Sequence, residues 1–176
     1  MARKFKCKDE ALPSVRLGLE KQSCLRRGGE KLSTPASIAA FVREHYGCKP
    51  QEVFLVLSLN ANSEAIYLHE VSLGGLSATP VDPKVIFAGA LLAGATAIVL
   101  IHNHPSGSSE PSAHDTTVTQ QLVKAGELLT IRVLDHVIVT RGEPLTYVSF
   151  AERGLMPGAP RPFLGDETPP VEVVKS

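Results

Sequence analysis

The sequence has few cysteines and no long apolar run, and these absences exclude several classes of protein. Its three cysteines, Cys7, Cys24 and Cys48, form no CxxC pair, which argues against a disulfide framework and a thiolate zinc site. No apolar run reaches the roughly 18 residues that a membrane-spanning helix needs. The first ten residues, MARKFKCKDE, lack the apolar core of a signal peptide, so we expect a cytoplasmic protein.

Excess charge of either sign is also missing, because the formal net charge of the 176 residues is zero. The chain as a whole therefore gives no electrostatic argument for nucleic acid binding. Basic residues are concentrated locally: residues 1–32 hold nine Lys and Arg against four acidic residues. We interpret 1–32 as a flexible basic arm, with a DNA contact as the alternative, and the Pro-rich 156–176 as a flexible tail.

Helical and strand patterns alternate between the two tails, over residues 33–155. A helix of about ten residues is predicted within 33–47, a second starts at Asp82-Pro83, and a third covers about 113–128, capped by Ser112 and ending near Gly126. Strands are predicted for 53–60, 64–73, 96–103, 131–140 and 145–150, the first two forming a hairpin that the glycines at 74 and 75 end. The apolar composition of strand 96–103 predicts that it lies in the centre of the sheet and is covered on both faces. This order predicts an α+β (mixed α/β) domain with helices packed on a sheet.

Two histidines end the central strand, in the stretch VLIHNHPSG. Residues two apart on a strand share a face, so His102 and His104 point the same way. Asp115 falls at the third position of the following helix, and a compact loop with Pro105 and Gly107 would bring it back beside them. Two histidines and one carboxylate form the usual protein ligand set of a catalytic zinc, with a fourth position left for water.

Ser112 has two candidate roles in this stretch. As the first residue of a Ser-x-x-Asp capping box, it would begin the helix and orient Asp115. As a hydroxyl donor, it would stabilise the oxyanion of a tetrahedral intermediate. His114 points away from Asp115 on a helix, and we expect it to be a surface residue.

The spacing HNHPSG…PSxxD resembles the JAMM motif of the JAB/MPN metalloproteins, in the version found in the bacterial RadC family. The resemblance covers roughly residues 33–153 and includes the segments VFLVLSLNAN, EVSLGG, LDHVIVT and YVSFAERGL. It implies a JAB/MPN-like central sheet flanked by helices. It also implies Zn²⁺ held by His102, His104 and Asp115, with Ser112 stabilising the oxyanion.

The resemblance further implies a glutamate that acts as general base at the start of the first strand. Glu52 stands at the corresponding place in QEVFLVLSL, with Glu64 and Glu70 as competitors. Asp135-His136 matches a pair that follows the motif helix in the family. We expect a hydrogen-bonded structural pair there, with a role for His136 beside the metal as the alternative.

Two functions remain after these observations. The first is a zinc-dependent hydrolase of peptide or isopeptide bonds, with a peptide or protein as substrate. The second is a DNA-repair-associated or DNA-binding protein. Longer RadC-type chains carry an N-terminal DNA-binding domain, and the 32 residues before this core are too few for it.

Overall fold

The computed structural model describes residues 32–46, 50–73, 81–141 and 146–158. They form one five-stranded sheet of order β2-β1-β3-β4-β5, with helices on both faces. The elements are α1 (Pro35–Tyr46), β1 (Val53–Leu59), β2 (Ala65–Leu73), α2 (Pro83–Leu92), β3 (Ala97–His104), α3 (Ala113–Leu129), β4 (Arg132–Thr140) and β5 (Tyr147–Ser149). The α+β class predicted from the sequence is confirmed.

Strand β3 occupies the centre of the sheet, as its apolar sequence predicts. It pairs antiparallel with β1 on one side and parallel with β4 on the other, and α3 makes the crossover between β3 and β4. The first seven of its eight residues are buried. The apolar run therefore leads directly to two polar ligand candidates at the carboxyl end of a central strand.

Alternate residues of the central strands β1 and β3 face the two larger apolar cores. One core packs α1 against one face of the sheet, through residues such as Ile38, Leu55 and Ile101. The other packs α2 and α3 against the opposite face, through residues such as Phe87 and Leu100. His102 continues the alternation that begins with Ile98 and Leu100, so the histidines lie on the α3 side of the sheet.

Helix α3 does not end at Gly126. It runs past Gly126 and ends at Leu129, with Thr130 in the left-handed conformation as the C-cap. A Cβ atom at Gly126 would come within 2.4 Å of the Ile131 carbonyl oxygen, so the glycine serves close packing of the chain that leaves the helix. The predicted bounds, about 113–128, thus agree with the helix to within one residue, and Gly126 meets a steric limit inside the last turns and does not mark the end.

At each end of the described region one apolar side chain packs against the domain. Leu32, assigned to the basic arm, is buried in the core beneath α1, and Met156, assigned to the tail, packs against the apolar cluster of Ile138, Val148 and Phe150. The rest of the arm, 1–31, and of the tail, 159–176, lies outside the described residues, as do the three cysteines and the glycines at 74 and 75. Among the described helices, none is both long and apolar enough to cross a membrane.

Candidate metal centre

The two histidines at the end of β3 bring their rings together. Their Nε2 atoms are 2.9 Å apart, because residues two positions apart on a strand project to one side. His102 is fully buried, whereas the side chain of His104 is 12% exposed at the rim. The sequence prediction that both rings face one point is met by this geometry.

Asp115 comes to the same point from the first turn of α3. The Ser112 hydroxyl accepts a hydrogen bond from the Asp115 N–H, and the Asp115 carboxylate accepts one from the Ser112 N–H at 2.7 Å, which completes a capping box. This places Asp115 Oδ1 3.4 Å from His102 Nε2 and Oδ2 3.7 Å from His104 Nε2. The predicted cap is present, and it aims the carboxylate at both rings.

The three side chains fit a tetrahedral metal ion. One nitrogen from each ring and one carboxylate oxygen all lie within 4.8 Å of one another, and within the part of the chain that the structure describes no other such group of His, Cys, Asp and Glu occurs. Zinc ligands in a tetrahedral site are roughly 3.3 Å apart, close to the spacings found here. Two imidazoles and a carboxylate supply three of four positions and leave one for water or substrate.

The loop after β3 fixes the orientation of the His104 ring. Gly107 has a φ of +81°, and its N–H bonds to the His104 carbonyl to close the turn. The turn brings the Ser108 carbonyl oxygen 2.8 Å from His104 Nδ1. A carbonyl only accepts, so Nδ1 of this ring carries the proton and the Nε2 of the neutral ring presents a lone pair to the site.

Lone pairs concentrated at one point need a cation between them. The Asp115 carboxylate raises the pKa of His104 above 6.5, with burial opposing and Ser108 and Glu52 adding to the rise. Burial raises the pKa of Asp115, but the His104 and His102 rings and the Ser112 hydrogen bonds outweigh it and hold that pKa well below its usual range. The site is therefore suited to hold either a proton or a metal ion among these groups.

The remaining ligand candidate, His102, stays neutral for a different reason. Burial is the largest cause that lowers its pKa well below 6.5, and the nearby His136 lowers it further. A neutral imidazole is the form that binds metal.

Glu52 is the one of the three candidate bases that the fold places beside the histidines. Phe54 pairs with His102 across β1 and β3, so the register carries Glu52 to the level of His104. Its side chain is half-buried, and its charge contributes to the raised pKa of His104. Glu64 lies at the far hairpin turn, where its carboxylate accepts a hydrogen bond from the Asn60 side chain. Glu70 lies on the α1 side of the sheet, where burial and, to a smaller extent, the charge of Glu70 raise the pKa of Tyr46.

Asn103 holds the segment that carries Glu52, a function that we did not predict. Its Oδ1 accepts a hydrogen bond from the Val53 N–H at 2.6 Å, and its Nδ2 donates to the Gln51 carbonyl at 3.2 Å. Both neighbours of Glu52 are thereby tied to the strand that carries the histidines. The signal in the sequence was the alternation itself, which turns Asn103 to the face opposite the two rings.

The side chains of His136 and Asp135 form hydrogen bonds with different parts of the fold. The His136 ring lies 2.8 Å from His102 Nδ1 and 2.6 Å from the Thr119 hydroxyl, and burial lowers its pKa to about 4. Asp135 accepts hydrogen bonds from Ser149 Oγ and from two backbone N–H groups, one of them that of His136. The expected structural pair thus exists only through the backbone, and the ring of His136 contacts the ligand candidate His102. His114 is exposed, as predicted.

Comparison with known proteins finds a family model and curated relatives that match this chain. The sequence model of a family described as the RadC-like JAB domain matches residues 32–155. The chain is 45% identical over 123 residues to a UPF0758 protein of Variovorax paradoxus, which covers 70% of this chain and 53% of that protein. It is 39% identical over 140 residues to a UPF0758 protein of Stenotrophomonas maltophilia, with 79% and 58% covered. The chain thus spans about half the length of the curated relatives it matches.

Proposed function

The chain belongs to the RadC-like JAB domain family, and on this premise we propose that it is a zinc-dependent hydrolase of peptide or isopeptide bonds. The observation that carries the proposal is the convergence of His102, His104 and Asp115 within 4.8 Å. This donor set is that of zinc sites that keep one position open for chemistry. The proposed substrate is a peptide or protein. This part of the proposal rests on the family and not on the geometry of the three ligands.

Zinc, when bound by these three side chains, would supply a water molecule of lowered pKa and a Lewis acid for the carbonyl oxygen. Glu52 would take up the proton of the attacking water and deliver it to the departing amine. A carboxylate suits both steps, because it accepts a proton and releases it again at neutral pH. The position of Glu52 at the level of His104, fixed by the register of β1 and β3, supports this role.

Ser112 would donate a hydrogen bond to the carbonyl oxygen as negative charge develops on it. Its hydroxyl now donates to Asp115 Oδ2 at 2.7 Å, and its backbone N–H bonds to that same oxygen at 2.7 Å. The N–H keeps Asp115 oriented when the hydroxyl turns toward a substrate. Ser112 is exposed, so a peptide can reach its hydroxyl.

Zinc analysis of the purified full chain, paired with a peptide-substrate screen, tests the proposal. We expect about one zinc ion per chain in the parent and its loss in His102→Ala and Asp115→Ala. Glu52→Gln should keep zinc and lose hydrolysis by about 10²–10⁴-fold, the usual contribution of a general base.

Glu64→Gln is the matched control, because this carboxylate lies at the opposite end of β1 and should leave both zinc and hydrolysis unchanged. Parent-level zinc in the two alanine variants would contradict the metal site. Undiminished hydrolysis in Glu52→Gln would contradict the assignment of the base.

A further inference from the structure

A chain of buried hydrogen bonds runs behind His102, on the side away from the candidate metal. His102 Nδ1 lies 2.8 Å from His136 Nε2, and His136 Nδ1 lies 2.6 Å from the Thr119 hydroxyl oxygen. That oxygen lies 2.6 Å from the backbone carbonyl of Asp115, one helical turn earlier in α3. His102, His136 and Thr119 are each at most 1% exposed, so no water competes for these contacts.

The directions of these bonds follow from which atoms carry protons. The Asp115 carbonyl oxygen can only accept a hydrogen bond, so the Thr119 hydroxyl donates its single proton to it. The Thr119 oxygen is then left as an acceptor toward His136, which requires a proton on His136 Nδ1. Thr119 therefore selects one tautomer of His136.

The selected tautomer of His136 determines that of His102. A neutral imidazole with its proton on Nδ1 has a lone pair on Nε2, and His136 Nε2 faces His102 Nδ1. His102 must therefore donate from Nδ1, and its own Nε2 is left with a lone pair. That Nε2 is the atom 2.9 Å from His104 Nε2 and 3.4 Å from Asp115 Oδ1.

We propose that His136 and Thr119 are positioning residues, which hold His102 in the tautomer whose Nε2 binds the metal. The inference rests on the proposed function, because it assigns these residues a role toward a metal ion. The network also closes on itself: it begins at the backbone of Asp115 and ends at a ring that shares the site with the Asp115 carboxylate. One buried hydroxyl thereby couples the helix that supplies one ligand to the strand that supplies another.

A purely structural role for His136 makes a different prediction. Its ring packs between Phe54 and Phe150, at centroid distances of 5.9 and 4.9 Å. If the ring only filled this space, His136→Phe would be harmless to metal binding, and so would the removal of the Thr119 hydroxyl.

Zinc affinity of the full chain, measured by competition with a chelating dye, separates the two roles. We expect Thr119→Val, which keeps the shape and removes the hydroxyl, to bind zinc about 10- to 100-fold more weakly, the usual effect of losing such a partner. Thr119→Ser restores the hydroxyl and should bind like the parent. His136→Phe should weaken binding similarly, whereas His136→Gln, whose amide donates at one atom and accepts at the other, should rescue it.

A second measurement needs neither zinc nor a variant. Nitrogen-15 NMR of the histidine rings in the metal-free parent should show His136 protonated on Nδ1. Protonation on Nε2 instead, or a Thr119→Val variant with parent affinity for zinc, would overturn the inference. A parent that takes up no zinc at all would contradict the proposed function and, with it, the role of these residues toward a metal, whereas the NMR result alone would still decide whether Thr119 selects the tautomer of His136.

Discussion

Asn103 Oδ1 lies 2.6 Å from the backbone nitrogen of Val53, which joins the central strand to the start of β1. Asn103 sits between the two histidines in sequence and faces the opposite side of the sheet. The same strand segment therefore presents metal ligands on one face and holds the Glu52 segment with the other. This buried amide therefore reinforces the β1–β3 register that sets the spacing between the candidate base and the candidate ligands.

Replacement of Asn103 by leucine should lower both stability and hydrolysis. The buried Val53 N–H loses its partner, so we expect the free energy of unfolding in urea to fall by about 1–3 kcal/mol. Zinc content should stay at the parent level, because the amide does not face the three ligands. Asn62→Leu, at an exposed turn position, is the control and should change stability by less than about 0.5 kcal/mol. Parent stability in Asn103→Leu would refute the contribution of this bond.

Added zinc should stabilise the protein. An ion that binds only the folded chain raises the free energy of unfolding by about 2.7 kcal/mol at a free concentration one hundred times its dissociation constant. Thermal unfolding with and without zinc measures this as a higher Tm. Asp115→Asn, which keeps a capping side chain and removes the charge, should lose most of the increase. An equal increase in that variant would place the bound zinc elsewhere.

The ligand set could be predicted from the sequence because its determinants are local. His102 and His104 share a face through strand alternation, and Asp115 is set by its position after the helix cap. Thr119 follows Asp115 by one helical turn, so its place on the same helix face was also available from the sequence.

The contact between His136 and His102 could not be derived from the local pattern, and only the family resemblance offered it as an alternative, because it depends on the register between two distant strands. The β3–β4 pairing shifts between Ile98 and Val99, where Leu134 is an extra residue on β4. The bulge changes which face each later residue of β4 occupies, but the strand is apolar on both faces, so the change leaves no clear mark in the sequence. The partners of Asn103 were missed for the same reason, since they lie on another strand about 50 residues away.

Thr130→Gly should stabilise the protein. Thr130 caps α3 with a φ of +57°, a conformation that disfavours a side chain with a Cβ. Relief of this strain outweighs the greater freedom of glycine in the unfolded chain, and we expect a net gain of about 0.5–1 kcal/mol in urea denaturation. Thr130→Ala, which keeps the Cβ, should show no such gain; equal stability of the two variants would contradict the explanation by backbone strain.

Acid should destabilise the metal-free protein between pH 6.5 and 4, with His136 as one cause. Burial lowers the pKa of His136 in the folded protein to about 4, below the ordinary 6.5 of the unfolded chain. In this window the unfolded state binds a proton that the folded state rejects, so the free energy of unfolding falls as the pH falls, by about 3 kcal/mol for this residue.

Urea denaturation of His136→Gln at several pH values isolates this contribution, because its side chain does not titrate. The variant should lose less stability than the parent between pH 6.5 and 4, while the lowered pKa of His102 keeps part of the slope. Asp115 acts mainly below this window, since its pKa is depressed from 3.8, and His104 acts above it, since its pKa is raised from 6.5. Parallel pH profiles for parent and variant would mean that His136 already takes up its proton in the folded state near pH 6.5.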